Sequence, residues 1–206
     1  MQLKTKAGLA VLALGVVIFA VWNHWIKTRR FVPLDIPVTW TAGQTITSEF
    51  HLNFDGLYVI EIVADQSIPA EKLHCLMDVQ ANPILCKDLP SAIIASWILW
   101  NAGKAVMRGD SNMPHSANAD TDGISRVIGQ FQGKSGQFYN LQLTFASDGA
   151  SLVPAHPRLK VTAASIVYTD LQSASVLVFS MVFICVLFGV ILLGMSYYIN
   201  RRVNAM

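Results

Sequence analysis

The sequence predicts a membrane-anchored all-β protein, with an extracytoplasmic β-sandwich or jelly-roll-like domain carried between two transmembrane helices. Three observations lead there. Residues 174–199, ASVLVFSMVFICVLFGVILLGMSYYI, contain no Asp, Glu, Lys, Arg or His. At about 1.5 Å per residue, a helix of that length outreaches the roughly 30 Å hydrocarbon core of a bilayer. Residues 7–26, AGLAVLALGVVIFAVWNHWI, form a second run free of formal charge. Between the two lie about eight short segments of strand character, separated by tight-turn residues. The whole chain is 14% charged and 53% hydrophobic. Average soluble domains carry about 25% charged residues, so the deficit is what lipid-facing segments produce.

Each element has its own justification. The C-terminal run ends in Tyr197 and Tyr198, whose amphipathic rings favour the headgroup zone, and Arg201 and Arg202 follow at once. A core-facing helix of a soluble domain needs only one apolar stripe and leaves those arginines unexplained. The N-terminal run follows Lys4 and Lys6, as a signal peptide would, but it is too long for one. Bulky residues also occupy the places a signal peptidase needs small, around Phe19-Ala20-Val21-Trp22. Trp22 and Trp25 read as interfacial anchors, and the run as an uncleaved signal anchor. The expected organisation is a tail at 1–6, a helix at 7–26, a domain at 27–173, a helix at 174–199 and a tail at 200–206.

Two spans put both termini on one side. Lys4, Lys6, Arg201 and Arg202 favour the cytoplasm for them, while Lys27, Arg29 and Arg30 pull the other way. Long loops translocate largely regardless of charge, which favours an exported domain. Cys75 and Cys86 are the only cysteines between the spans. Such a pair suits a disulfide in an oxidising compartment, against the alternative of two unrelated buried thiols. Cys185 lies inside the C-terminal span and reads as a small apolar residue. The expected location is a bacterial inner membrane, with the termini cytoplasmic and the domain periplasmic. All 13 acidic residues fall between the spans, with eleven of the 15 basic ones, so the domain carries 11 − 13 = −2. No basic patch there points to nucleic acid.

Along the domain, 44–54 (QTITSEFHLNF) alternates with the period of a half-buried strand. Ile46, Ser48 and Phe50 point one way, and Thr45, Thr47 and Glu49 the other. Asp55-Gly56 is a hairpin signal, and 57–64 returns as the next strand. Pro69 opens a short helix reaching Met77. Residues 93–100 (IIASWILW) form a strand, Asn101-Ala102-Gly103 turns, and 104–108 comes back. Residues 109–122 are polar and read as a surface loop. Strands at 124–132, 138–146 and 158–163 complete the domain, with turns at 133–136 and at Asp148-Gly149.

Catalytic motifs are absent. The chain has no Gly-x-Ser-x-Gly, no His-Glu-x-x-His, no P-loop, no dinucleotide fingerprint and no Cys-x-x-Cys. His51, His74, His115 and His156 are scattered, with no i,i+4 pair to hold a metal. Asn118, Asp120 and Asp122, followed by Gly123, imitate the start of a calcium loop. The twelfth position is Gly129 where that loop needs a bidentate Glu, so an Asx-rich turn is the simpler reading. Trp97 and Trp100 stand three apart and so face opposite sides of a strand. One belongs to the core, and the other faces a neighbouring sheet, the membrane or a ligand; both are candidates for ligand contact, with core packing the simpler reading of each. No cofactor is expected.

A domain tethered at both ends, without a catalytic constellation, suits recognition near the bilayer. The expectation is a non-enzymatic protein-binding protein. Its foremost form is an immunity protein that neutralises an envelope-targeting or pore-forming toxin. The alternatives are an accessory subunit of an envelope complex (secretion, polysaccharide export or signalling) and a membrane-tethered glycan-binding module.

Overall fold

The computed structural model describes residues 2–79, 84, 86–111, 117–120 and 123–203. They fall into two compact units, Met1–Arg29 with Tyr168–Met206, and Arg30–Val167.

The first unit is a helix pair made of α1 (Gln2–Lys27) and most of α3 (Ser165–Val203). Both are long and apolar enough to cross a membrane. The second helix starts upstream of the apolar run at 174, because 165–173 holds neither Gly nor Pro to stop it. Small residues let the pair approach closely. A Cβ on Gly8 would sit 3.0 Å from Leu193, Gly189 faces Leu12, and Gly15 lies against Cys185. The Phe19 and Phe179 rings meet at 6.2 Å, and the Thr5 and Ser196 hydroxyls share a hydrogen bond of 2.7 Å. Gly194, by contrast, has nothing within 4 Å of its would-be Cβ. Near the end of α1 the Trp22 and Trp25 rings stack at 4.9 Å, and the Arg29 guanidinium lies 3.6 Å from the Trp25 centroid. Such amphipathic groups suit the lipid–water boundary.

The second unit holds the strands β1 (Leu34–Pro37), β2 (Thr45–His51), β3 (Gly56–Ala64), β4 (Ala95–Asn101), β5 (Lys104–Asp110), β6 (Ala117–Asp120), β7 (Gly123–Gly133), β8 (Phe138–Phe145) and β9 (Arg158–Ala163). It also has the helix α2 (Ala70–Met77) and a 3-10 turn at Ala150–Ala155. The strands build two antiparallel sheets, one in the order β1-β9-β3-β7-β6 and the other in the order β2-β8-β4-β5. Inward side chains from both meet in one core: Phe50, Trp97, Leu99, Leu141 and Phe145 from the four-stranded sheet, and Tyr58, Ile60, Phe131 and Val161 from the five-stranded one.

Two expected connections turn out otherwise. Asp55-Gly56 does not close a hairpin, because β2 pairs with β8 while β3 pairs with β7 and β9. The chain passes there from one sheet to the other. Asp55 Oδ1 accepts the Ser135 N–H at 2.6 Å, so this crossing is tied to the parallel one between β7 and β8. β2 and β3 instead belong to different sheets and both contribute buried residues to the one core. The polar stretch at 109–122 likewise contains β6, antiparallel to β7. The β4–β5 hairpin does form, through Ala102 (φ 47°) and Gly103 (φ 75°). Left-handed values at both central residues match the strand twist.

One corner of the domain depends on two fastenings. Cys75 on α2 is bonded to Cys86, with Cα atoms 5.2 Å apart. Arg126 on β7 is 2% exposed. It donates to the Met77 carbonyl (3.2 Å), Ser91 Oγ (2.9 Å) and the Ser111 carbonyl (2.8 Å), and reaches Asp78 at 3.5 Å. Burial pulls this guanidinium below its usual pKa, and the Asp78 carboxylate opposes the shift. A buried cation is tolerated only where such acceptors surround it.

On the surface, Asp65 is held below the ordinary aspartate range, first by the Ser67 side chain and then by His156, whose Nδ1 lies 2.7 Å away. A depressed carboxylate contributes stability above its unfolded pKa and loses it as pH falls through the folded one. Between about pH 5 and about pH 2, the wild type is therefore expected to lose slightly more stability than Asp65→Asn, read as denaturant midpoints; equal losses would contradict the assignment. The disulfide closes 11 residues. Cys86→Ser should lower unfolding free energy by about 2–3 kcal/mol in a denaturant titration, and an unchanged midpoint would contradict that role.

Candidate functional site

The four-stranded sheet shows its other face to solvent, and alternation decides what stands there. In register across β2, β8 and β4, Thr45, Thr144 and Ser96 form one row. Thr47, Gln142 and Ile98 form the next, then Glu49, Asn140 and Trp100. His51 lies opposite Phe138 at the end, with ring centroids 4.6 Å apart. Phe138 is 59% exposed, unusual for so large an apolar ring. Asn101 Nδ2 donates to the Phe138 carbonyl at 3.1 Å and to Gln137 Oε1 at 3.2 Å, which ties the start of β8 to the end of β4.

These side chains border an open depression of about 490 Å³. Thr47, Glu49, Trp100, Phe138, Asn140 and Gln142 line it, and the Ala102-Gly103 turn bounds it. Tyr139 contributes only from beneath: its ring is buried, and its hydroxyl accepts the Lys134 N–H at 3.2 Å. Glu49 is the one carboxylate of the lining, which includes no Lys, Arg or His. Such a surface can stack on a ligand ring and donate or accept hydrogen bonds. Its lining holds one carboxylate, on Glu49, and no His or Cys.

The residues singled out in the sequence are thus placed apart. Trp97 is 2% exposed, and its indole N–H donates to the Ile128 carbonyl at 2.8 Å. A Cβ on Gly109 would lie 2.7 Å from its ring, and one on Gly129 closer still. Trp100, three residues on, faces the depression. Asn118 and Asp120 lie on β6, opposite Ser125 and Gly123, while Asp122 lies outside the described residues, as does His115. Among the described residues no group of three or more His, Cys, Asp or Glu could hold a metal ion. His74 Nδ1 is 2.9 Å from the Val79 carbonyl, a local bond at the end of α2.

Glu49, Phe138, Asn140 and Gln142 had a signal in the alternation of TITSEFH and FYNLQLTF, whose polar halves were legible. Their meeting was not, since β2 and β8 are adjacent only in the fold. Arg126 had no signal, because one cation within a strand resembles any solvated residue.

No known family model matches the chain, and no curated protein resembles it closely enough to match. Among solved structures, a protein from Sulfurospirillum deleyianum aligns with a TM-score of 0.46 and 10% identity, over 64% of this chain and 96% of its own. Two crystal structures of a β-glucosidase from Kluyveromyces marxianus, one with glucose and one selenomethionine-labelled, align with TM-scores of 0.25 and 0.26 and identities of 12% and 15%. Each covers 58% of this chain, which spans 11% of the glucosidase.

The two tryptophans should separate cleanly in unfolding experiments. Trp97→Ala is expected to cost about 3–5 kcal/mol, through cavity formation and an orphaned Ile128 carbonyl. Trp100→Ala should cost about 1 kcal/mol or less. Equal costs would mean that Trp100 is a core residue and not part of a surface site.

Proposed function

We propose that the chain is a non-enzymatic two-pass protein of a bacterial inner membrane that recognises another protein through its β-domain. In this reading both termini are cytoplasmic, and Arg30–Val167 forms a β-sandwich on the periplasmic side. The shared core of the two sheets supports the sandwich. The Cys75–Cys86 bond supports an oxidising compartment, and the basic tails support cytoplasmic ends.

The observation that carries protein recognition is β5. It is the last strand of its sheet, and every residue of it but Gly109 is exposed, including Val106 at 53% and Met107 at 41%. An edge strand with apolar side chains in water invites another chain to pair or pack there. A β-bulge between Leu99 and Trp100 distorts this hairpin, which limits indiscriminate edge-to-edge pairing. Within this class the foremost role is immunity against an envelope-targeting or pore-forming toxin. Membership of an envelope complex is the alternative.

Protease added outside spheroplasts should degrade the domain while reporters fused to both termini report a cytoplasmic position; a protected domain overturns the topology. Co-expression with a toxin encoded beside this gene should restore growth. The doubly substituted Val106→Lys, Met107→Lys chain should lose that protection with its melting temperature unchanged. Co-purification with a large membrane assembly in the absence of toxin, without any protection from toxin, would replace immunity by the accessory role.

A further inference from the structure

We propose that the depression beside the β4–β5 turn is a binding site for a neutral oligosaccharide. This does not depend on the protein-recognition reading, which rests on Val106 and Met107, neither of which lines the depression.

The chemistry of the lining selects the ligand. Glu49, Asn140 and Trp100 stand side by side on three neighbouring strands. Thr47 and Gln142 form the row on one flank, and Phe138 stands on the other. Directly opposed side chains lie about 4.5–5.5 Å apart at Cβ, so the row of three extends about 9–11 Å, enough for a ligand longer than one ring. A sugar ring presents a face of C–H groups and a rim of hydroxyls, each both donor and acceptor. The Trp100 indole offers an apolar plane for the face. The Asn140 and Gln142 amides carry a donor and an acceptor each, and the Glu49 carboxylate is a strong acceptor for the rim. Phe138, already 59% exposed, extends the apolar surface towards a second ring. The volume of about 490 Å³ falls within the roughly 300–1,000 Å³ of small-ligand sites.

The same lining disfavours other ligands. A phosphate or uronate would lie against Glu49 with no cation in the lining to balance it. A divalent cation needs about six oxygen ligands where a single carboxylate stands. A quaternary ammonium is held by rings that enclose it, and here the positions beside Trp100 in its row are Asn140 and Glu49 and not further rings.

Calorimetry of the full chain tests this. The protein is held in polyoxyethylene-ether micelles, because a maltoside detergent carries a head group that is itself a candidate ligand. The probes are cellotriose, maltotriose and tri-N-acetylchitotriose, with a uronic-acid trimer and choline alongside. At least one neutral trisaccharide should give saturable heat with Kd on the order of 0.1–1 mM. Trp100→Ala should weaken it about tenfold or more, Trp100→Phe less, and Glu49→Gln about threefold. If Trp100→Ala fails to fold, the pair Glu49→Gln, Asn140→Ala takes its place and should abolish saturation. Absence of saturable heat from all three neutral sugars at about 10 mM overturns the proposal. So does binding that survives these substitutions, or heat from choline or the uronic acid in place of the neutral sugars. Membrane orientation does not affect the measurement, so its failure leaves the topology untouched.

Discussion

The contact on which the domain depends most is the seating of Trp97 against the backbone of the opposite sheet. Its ring lies over Gly109 of its neighbouring strand and Gly129 of β7, and its N–H is satisfied by the Ile128 carbonyl. A large aromatic surface leaves water without stranding a polar group, the condition under which Trp can be fully buried. The consequence reaches beyond packing. Because side chains alternate along a strand, anchoring Trp97 inward forces Ser96, Ile98 and Trp100 outward. A slip of one residue would reverse all of them. The outer face of the sheet is therefore set by a contact made on its inner one.

Around that contact the core is continued by rings that meet across the sheets and, for Tyr58 and Phe131, within the five-stranded one. Phe50 and Phe131 lie 6.1 Å apart at their centroids, Phe131 and Tyr139 5.6 Å, and Tyr58 and Phe131 5.7 Å. Elsewhere Trp40 stacks on Phe145 at 4.4 Å. The corner holding α2 adds two fastenings to the apolar burial of Leu73, Leu76 and Met77. They are the Cys75–Cys86 bond and the buried Arg126 guanidinium, which donates to Met77, Ser91 and Ser111. Loss of the Arg126 side chain would take a hydrogen-bond donor from the Met77 and Ser111 carbonyls.

The helices of the pair are long and apolar enough to cross a membrane, and a different rule holds in that medium. Lipid offers apolar side chains no reason to leave it, so contacts between helices in such a medium come from close approach and hydrogen bonds. Gly8, Gly15 and Gly189 allow the approach, and Thr5 with Ser196 supplies the bond. Gly194 takes no part.

Much of this was legible beforehand, for identifiable reasons. Length and the absence of charge are local properties, so the two apolar helices could be read directly, as could the inward and outward halves of β2 and β8. With no other cysteine between the helices, Cys75 and Cys86 were the one possible disulfide there, set against two unlinked thiols, and the structure shows the bond. Which strands are neighbours was beyond local reasoning: Asp55-Gly56 has the chemistry of a hairpin turn yet serves a crossing between sheets. A turn residue permits a reversal of the chain, but the competition for core contacts decides where the returning strand lies. The same limit hid Arg126, whose burial depends on acceptors distant in sequence. It also hid the meeting of Glu49, Asn140 and Trp100. The sequence by itself determined the helices, the periodicity and the disulfide partners, since these rest on composition and near neighbours. Tertiary structure alone decided the sheet order, the choice between Trp97 and Trp100, and the presence of a recessed surface, because each depends on residues brought together only when the core closes.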